Sequence, residues 1–169
     1  MNYLFQEKQR IKILWVKCLI ALTGIAFGYE LITKIQAGTA LIHDFFPVAI
    51  VTFIYASIFL SVLETKIDTK GIYVRYFPFQ PFFRFIAWED INKCYMLQYD
   101  PRREYKGRGY AKGRFGRAYT IAGNMGFQLI IGKKNEDLLI GTQKPEELRK
   151  LMRELSGNGL IGSKFKDYP

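Results

Sequence analysis

The pattern of apolar and polar positions divides the chain near residue 63. Before that point apolar residues run almost without interruption, and after it they alternate with polar ones. The clearest run is FFPVAIVTFIYASIFLSVL at residues 45–63, which contains no charged residue. A helix of this length spans roughly 28 Å, close to the roughly 30 Å hydrocarbon core of a bilayer. The run therefore predicts a membrane-spanning helix, with a buried core helix of a soluble protein as the alternative.

An earlier apolar run, ILWVKCLIALTGIAFGYELIT at residues 13–33, is interrupted by Lys17 and Glu30 near its ends. Long charged side chains at such positions can reach the polar interface, so this run predicts a second membrane helix. The alternative is a cleaved signal peptide, because cations precede the run and small residues follow it at Gly38-Thr39-Ala40. Only residues 34–44 separate the two runs, so we expect an antiparallel helical hairpin.

Small residues offer surfaces on which two membrane helices can pack closely. The first helix carries the GxxxG pair Gly24 and Gly28, and the second carries Ala56, Ser57 and Ser61. We expect these residues to lie where the two helices of the hairpin meet.

Basic residues flank the predicted hairpin on both outer sides. They are Lys8, Arg10, Lys12 and Lys17 before or within the first helix, and Lys66, Lys70 and Arg75 after the second. Cytoplasmic flanks of membrane helices carry an excess of lysine and arginine. The pattern therefore predicts that both termini lie in the cytoplasm.

After residue 64, apolar positions recur at every second residue in short segments, which predicts about seven antiparallel strands. The segment KPEELRKLMRELSGNG then has proline at a first helical position and an apolar stripe at helical spacing, which predicts one closing amphipathic helix. The fold class is thus α+β. The predicted organisation is a membrane hairpin at 1–64, a β-rich domain at 65–157 and a C-terminal tail at 158–169.

Three segments resemble a known family: IAWEDI at 86–91, AYTIAGNMGFQLII at 118–131 and LLIGTQKPEELRKLM at 138–152. Over nearly its whole length the chain resembles a bacterial family of membrane-anchored pleckstrin-homology-like (PH-like) proteins of unassigned function. The resemblance implies a seven-stranded antiparallel β-barrel or sheet that is capped by a C-terminal helix and preceded by a helical hairpin. It also implies a place in the bacterial cytoplasmic membrane.

The net charge of +10 indicates an anionic partner, and about half of it lies in residues 100–117. The cations of this basic segment are Arg102, Arg103, Lys106, Arg108, Lys112, Arg114 and Arg117. Near an anionic membrane surface each contributes about 1 kcal/mol. The alternatives are a protein partner, single-stranded nucleic acid stacked on Tyr105, Tyr110 and Phe115, and a solvated loop without a ligand. The glycines, spaced GxGxxxG, do not match a phosphate-binding loop.

Groups suited to catalysis or metal binding are sparse. The chain has two cysteines, Cys18 and Cys94, and one histidine, His43, and none belongs to a cluster with ligand spacing. The aromatic residues at 77, 79, 82, 83 and 88 are interpreted as core or interface packing. We expect no cofactor, no metal and no enzymatic activity, and we predict a membrane protein that presents a binding or adaptor domain.

Overall fold

The computed structural model describes residues 3–11, 14–105, 107–113 and 116–166. The chain forms two compact units, of which one is Ile11–Ser61. The other joins the residues up to Arg10 with those from Val62 onward. The helical unit is therefore inserted into the β-rich unit, whereas the sequence assigned all of residues 1–64 to the hairpin.

The helical unit contains α1 (Leu14–Gln36) and α2 (Phe45–Leu60). Both are long and apolar enough to span a membrane, and no described residue in either is buried. A Cβ on Gly24 would lie 3.4 Å from Val51, so this glycine lies where α1 approaches α2. Gly28, in contrast, has open space around it.

Polar contacts close the hairpin at its loop. The Lys34 ammonium lies 2.7 Å from a carboxylate oxygen of Asp44 and 3.1 Å from Glu30. The other oxygen of Asp44 accepts a hydrogen bond from the Leu41 backbone N–H at 2.9 Å. At the opposite end of α2, the Ser61 hydroxyl donates to a carbonyl oxygen of its own helix. The cation between the two helices is thus neutralised by its neighbours.

The first sheet of the β-rich unit is antiparallel, with strand order β1-β2-β3-β4. Its strands are β1 (Phe5–Arg10), β2 (Val62–Ile67), β3 (Gly71–Phe77) and β4 (Gln80–Ala87). Arg10 lies opposite Val62, and Val62 lies opposite Phe77. The end of β1, the start of β2 and the turn after β3 therefore share one end of this sheet.

The second sheet has the order β10-β5-β8-β9-β7-β6. Its strands are β5 (Ile91–Gln98), β6 (Gly109–Gly113), β7 (Gly116–Thr120), β8 (Met125–Ile131), β9 (Glu136–Thr142) and β10 (Phe165–Lys166). A short helix, α3 (Pro101–Tyr105), follows β5, and α4 (Pro145–Gly157) follows β9. The apolar stripe of α4 is buried at Leu148, Met152 and Leu155, as its spacing predicts.

The α+β class is confirmed, but the prediction of seven antiparallel strands is wrong. The described residues form ten strands in sheets of four and six, and β7–β9 and β5–β10 are parallel pairs. No closed barrel forms within this part of the chain. Strand β1 was not predicted, because two of its three buried residues, Glu7 and Gln9, are polar and so the segment lacks the alternation of apolar and polar positions.

Strand β1 connects the two sheets through these polar residues. The Glu7 carboxylate accepts hydrogen bonds from the Thr142 hydroxyl and the Gln143 backbone N–H, both at 2.7 Å. The Gln9 side-chain amide donates to the Gly141 carbonyl oxygen at 2.7 Å. The IGTQ segment is therefore the junction at which β9, α4 and the N-terminal strand meet.

Candidate functional site

The basic segment at 100–117 is folded over most of its described length. The Asp100 carboxylate accepts hydrogen bonds from the backbone N–H groups of Arg102 and Arg103, and Glu104 accepts one from the Asp100 N–H. This reciprocal arrangement satisfies the free donors at the start of α3. The hydrogen bonds from Arg103 and Arg102 lower the pKa of Asp100. The two arginine side chains themselves are exposed.

Tyr105, the last residue of α3, packs against the sheet and so holds the basic segment to it. Its ring meets Tyr99 edge to face, with centroids 6.2 Å apart, and both belong to a buried cluster with Ala118 and Leu139. Burial raises the pKa of Tyr105 to about 12, and neighbouring carboxylates add to the effect. The phenol therefore stays protonated at neutral pH and serves packing.

The second half of the basic segment is the hairpin β6–β7 instead of the expected loop. Ala111 lies opposite Ala118, and on the other face of the hairpin Lys112 lies opposite Arg117. Like charges in directly opposite positions of a sheet are destabilising. Gly116, the first residue of β7, cannot be replaced without strain, because its φ is +96° and a Cβ there would overlap the backbone of Asp137.

The hairpin and β4 form the walls of a cleft of about 310 Å³. The Tyr119 hydroxyl donates a 2.6 Å hydrogen bond to the side-chain oxygen of Gln80 and so joins the walls. None of the lining residues is acidic; they are Gln80, Phe82, Phe83, Arg84, Tyr110, Arg117 and Tyr119. We call this the arginine cleft.

The two arginines of the cleft differ from the cations of the neighbouring strands. Arg75 pairs with Glu64 at 2.7 Å, and Lys66 lies 3.2 Å from the same carboxylate. Within the described part of the chain, neither Arg84 nor Arg117 forms an ion pair. A cation without a carboxylate partner beside aromatic rings is suited to holding an anionic group. The arginine cleft can therefore accept a phosphate or carboxylate.

The structure distributes the predicted basic residues over two places. Arg102 and Arg103 lie on α3, while Lys112 and Arg117 share one face of the hairpin. Arg108 is exposed between them, and Lys106 and Arg114 lie outside the described residues. Sequence reasoning missed Arg84, because a single cation within the apolar stretch PFFRFIA gives no sign of the strand that it faces.

Two other cavities of the β-rich unit are less suited to an anion. One of about 370 Å³ is lined by residues that include Glu104, Asp137 and Gln128. Another of about 290 Å³ is lined by three cations, Arg84, Lys133 and Lys134, together with the carboxylates of Asp90 and Glu136. The first cavity offers an anion only like charge, and in the second the carboxylates compete with an anion for the three cations.

Buried Cys94 has no catalytic setting. Burial raises the pKa of its thiol to about 12, so the reactive thiolate is scarce at neutral pH. Among the described residues no three His, Cys, Asp or Glu side chains come together as metal ligands. Trp88, which was expected to pack, is buried, and its indole N–H donates to the Asp68 carbonyl oxygen.

No protein-family model and no curated protein matches this chain. A function is therefore inferred from two features of the structure: the insertion of the two helices between β1 and β2, and the arginine cleft.

Proposed function

We propose that this chain is a non-catalytic integral membrane protein, which presents a PH-like binding or adaptor domain on the cytoplasmic face of a bacterial cytoplasmic membrane. One observation carries the proposal: Arg10 at the end of β1 lies opposite Val62 at the start of β2, and the two apolar helices lie between them in sequence. Paired strands occupy one compartment, so the intervening chain must return to the side that it left. Two crossings meet that condition.

The same strand pairing argues against the two alternative interpretations of the apolar runs. A signal-peptide cleavage after α1 would leave β1 on the cleaved peptide and remove the first strand of the sheet. A core helix of a soluble protein would be buried, whereas no described residue of α1 or α2 is. Both helices therefore fit membrane spans better.

The charges around the hairpin support the cytoplasmic side for both termini. Arg10 ends β1, and Lys66 and Lys70 follow α2 closely. At the loop end of the helices, Lys34 in the last turn of α1 is paired with Glu30 and Asp44. The loop end of the helices carries one lysine, Lys34, whereas Arg10, Lys66 and Lys70 lie on the flanks, and an excess of lysine and arginine is the bias of cytoplasmic flanks.

Topology reporters test this proposal. A fluorescent protein fused after Pro169 should be bright, and alkaline phosphatase at the same point should be inactive. The matched control is a phosphatase fusion after Gly38, in the loop between the helices, which should be active. An active phosphatase after Pro169, or release of the intact chain from membranes by alkaline carbonate, would contradict the proposal.

The arginine cleft favours a more specific second candidate, the binding of anionic lipid headgroups. Arg84 and Arg117 lie without carboxylate partners in a cleft that has room for a phosphate. If each contributes about 1 kcal/mol, their joint loss weakens binding by about 2 kcal/mol, or roughly 30-fold.

Native mass spectrometry of the full chain in micelles tests the second candidate with dihexanoyl phosphatidylglycerol against dihexanoyl phosphatidylcholine. Wild type should retain the anionic lipid preferentially, and Arg84→Gln with Arg117→Gln should lose that preference. The control, Lys93→Gln with Lys150→Gln, removes the same charge from exposed positions outside the cleft. Equal losses in both double variants would argue against a site. Displacement of the lipid by single-stranded RNA would favour the nucleic-acid alternative.

A further inference from the structure

The turn between β3 and β4 is unusually aromatic and exposed. Residues 77–82 read FPFQPF, and we call this segment the aromatic turn. Relative exposure is 37% at Phe77, 63% at Phe79 and 83% at Phe82. These residues were expected to be core or interface packing, and the exposure excludes the core. A cluster of exposed apolar side chains marks a surface that contacts a membrane or another protein.

Strand register places this turn beside the points where the chain enters and leaves the helical hairpin. Phe77 lies opposite Val62, and Val62 follows Leu60, the last residue of α2, by two positions. Two Cα–Cα steps and one strand pairing hold the Phe77 Cα within about 13 Å of the Leu60 Cα. This limit follows from the chain and the strand pairing alone.

The opposite end of the same sheet has a different character. There the β2–β3 turn is polar: Asp68 accepts hydrogen bonds from the backbone N–H groups of Lys70 and Gly71, and Thr69 and Lys70 are exposed. The two turns of the sheet thus differ as a lipid-facing turn differs from a water-facing one. A solvated turn would need no such asymmetry.

We infer that the aromatic turn inserts into the interface of the cytoplasmic leaflet and forms a third membrane attachment besides the two helices. The inference rests on the membrane topology proposed above. We take lipid as the occupant because strand pairing places the turn next to the point where the chain leaves α2, the second proposed membrane span. Phenylalanine side chains are favoured at the boundary between headgroups and acyl chains.

Insertion of the turn has a consequence for the arginine cleft. Gln80 and Phe82 belong both to the turn and to the lining of the cleft. Each headgroup layer is about 5–7 Å thick, so a cleft beside an inserted turn opens at headgroup level. The third attachment therefore orients the cleft toward the phosphates of the bilayer.

Site-specific fluorescence quenching tests the insertion in the full chain, reconstituted in phosphatidylethanolamine and phosphatidylglycerol vesicles. In a Cys18→Ala background, an environment-sensitive maleimide is attached at Phe79→Cys, at Thr69→Cys in the polar turn, or at Phe53→Cys in α2. Native Cys94 is fully buried and stays unlabelled. Phe82→Cys repeats the test at the most exposed ring, so that misfolding of one variant does not decide the outcome.

The labels at 79 and 82 should be quenched by nitroxide lipids several-fold more than the label at 69, and they should be shielded from aqueous iodide. If the label at 53 is quenched by acyl-chain nitroxides while those at 79 and 82 behave like 69, the insertion is wrong and the membrane topology stands. If the label at 53 is not quenched, the topology itself fails. Shielding at 79 from both quenchers would mean that protein covers the turn, which also overturns the inference.

Discussion

Replacement of Glu7 should destabilise the β-rich unit, because its carboxylate fastens β1 to the junction of β9 and α4. The side chain is buried, with 6% exposure, and accepts two hydrogen bonds of 2.7 Å from Thr142 and Gln143. Each hydrogen bond to a charged group contributes about 1.5–3 kcal/mol. Removal of the buried charge also removes its desolvation cost, which offsets part of the loss. We expect Glu7→Ala to lower the free energy of unfolding by about 3 kcal/mol.

Two further variants grade the effect. Glu7→Gln keeps the shape and can still pair with both neighbours, because the Thr142 hydroxyl can rotate and accept from the new amide. Two charge-assisted hydrogen bonds then become neutral ones, so we expect a loss of about 1 kcal/mol. Lys8→Gln changes the exposed neighbour on the same strand and should cost less than about 0.5 kcal/mol.

Thermal unfolding of the full chain in detergent micelles measures this series. Fluorescence of buried Trp88 reports on the β-rich unit once Trp15, the other of two tryptophans, is replaced by phenylalanine. At roughly 4 °C per kcal/mol for a unit of this size, Glu7→Ala should lower Tm by about 12 °C and Glu7→Gln by about 4 °C. If Glu7→Ala and Lys8→Gln melt together, residues 5–10 do not belong to the sheet and the hairpin is not inserted into it.

Two other predictions concern Glu64 and Gly116. Burial raises the pKa of Glu64, but hydrogen bonds from Arg75 and Lys66 outweigh it and hold the pKa below its usual value. The stability that this carboxylate contributes is complete above pH of about 4.3 and is lost as pH falls through its folded-state pKa. Glu64→Gln should therefore flatten the Tm profile in that acid range, and an unchanged slope would contradict the assignment. Gly116→Ala should lower the free energy of unfolding by about 2 kcal/mol or more, since the φ of +96° and the close backbone neighbour leave no room for a methyl group. The β6–β7 hairpin should then become open to proteolysis. The control is Gly157→Ala, which has open space around it and should stay resistant to proteolysis.

The elements that the sequence predicted are those with strong local patterns. The two apolar runs became α1 and α2, and the stripe at 148–155 became the buried face of α4. The periodicity of each of these elements can be recognised within one short segment of the sequence. Strand β1 has no such signature, because the partners of Glu7 and Gln9 lie more than 130 positions away in the chain.

For the same reason, only one of the two arginines of the cleft could be predicted from the sequence. Arg117 belongs to a visible basic segment, whereas Arg84 stands alone among apolar residues and becomes significant only when β4 faces β6–β7. The phenylalanines at 79 and 82 resembled core residues in the pattern, since alternation alone does not distinguish a buried face from an exposed one. Only the folded chain shows that both side chains are exposed.

The insertion of the helices between β1 and β2 sets an order of events during biogenesis. On a ribosome, residues 5–10 emerge before their pairing partner at 62–67, which is made only after the whole helical hairpin has been synthesised. In the proposed topology the nascent chain must be integrated by the translocon before the first strand can dock. A molecule whose hairpin fails to integrate would thus keep an unfinished sheet edge, a signal by which proteases can recognise and remove it.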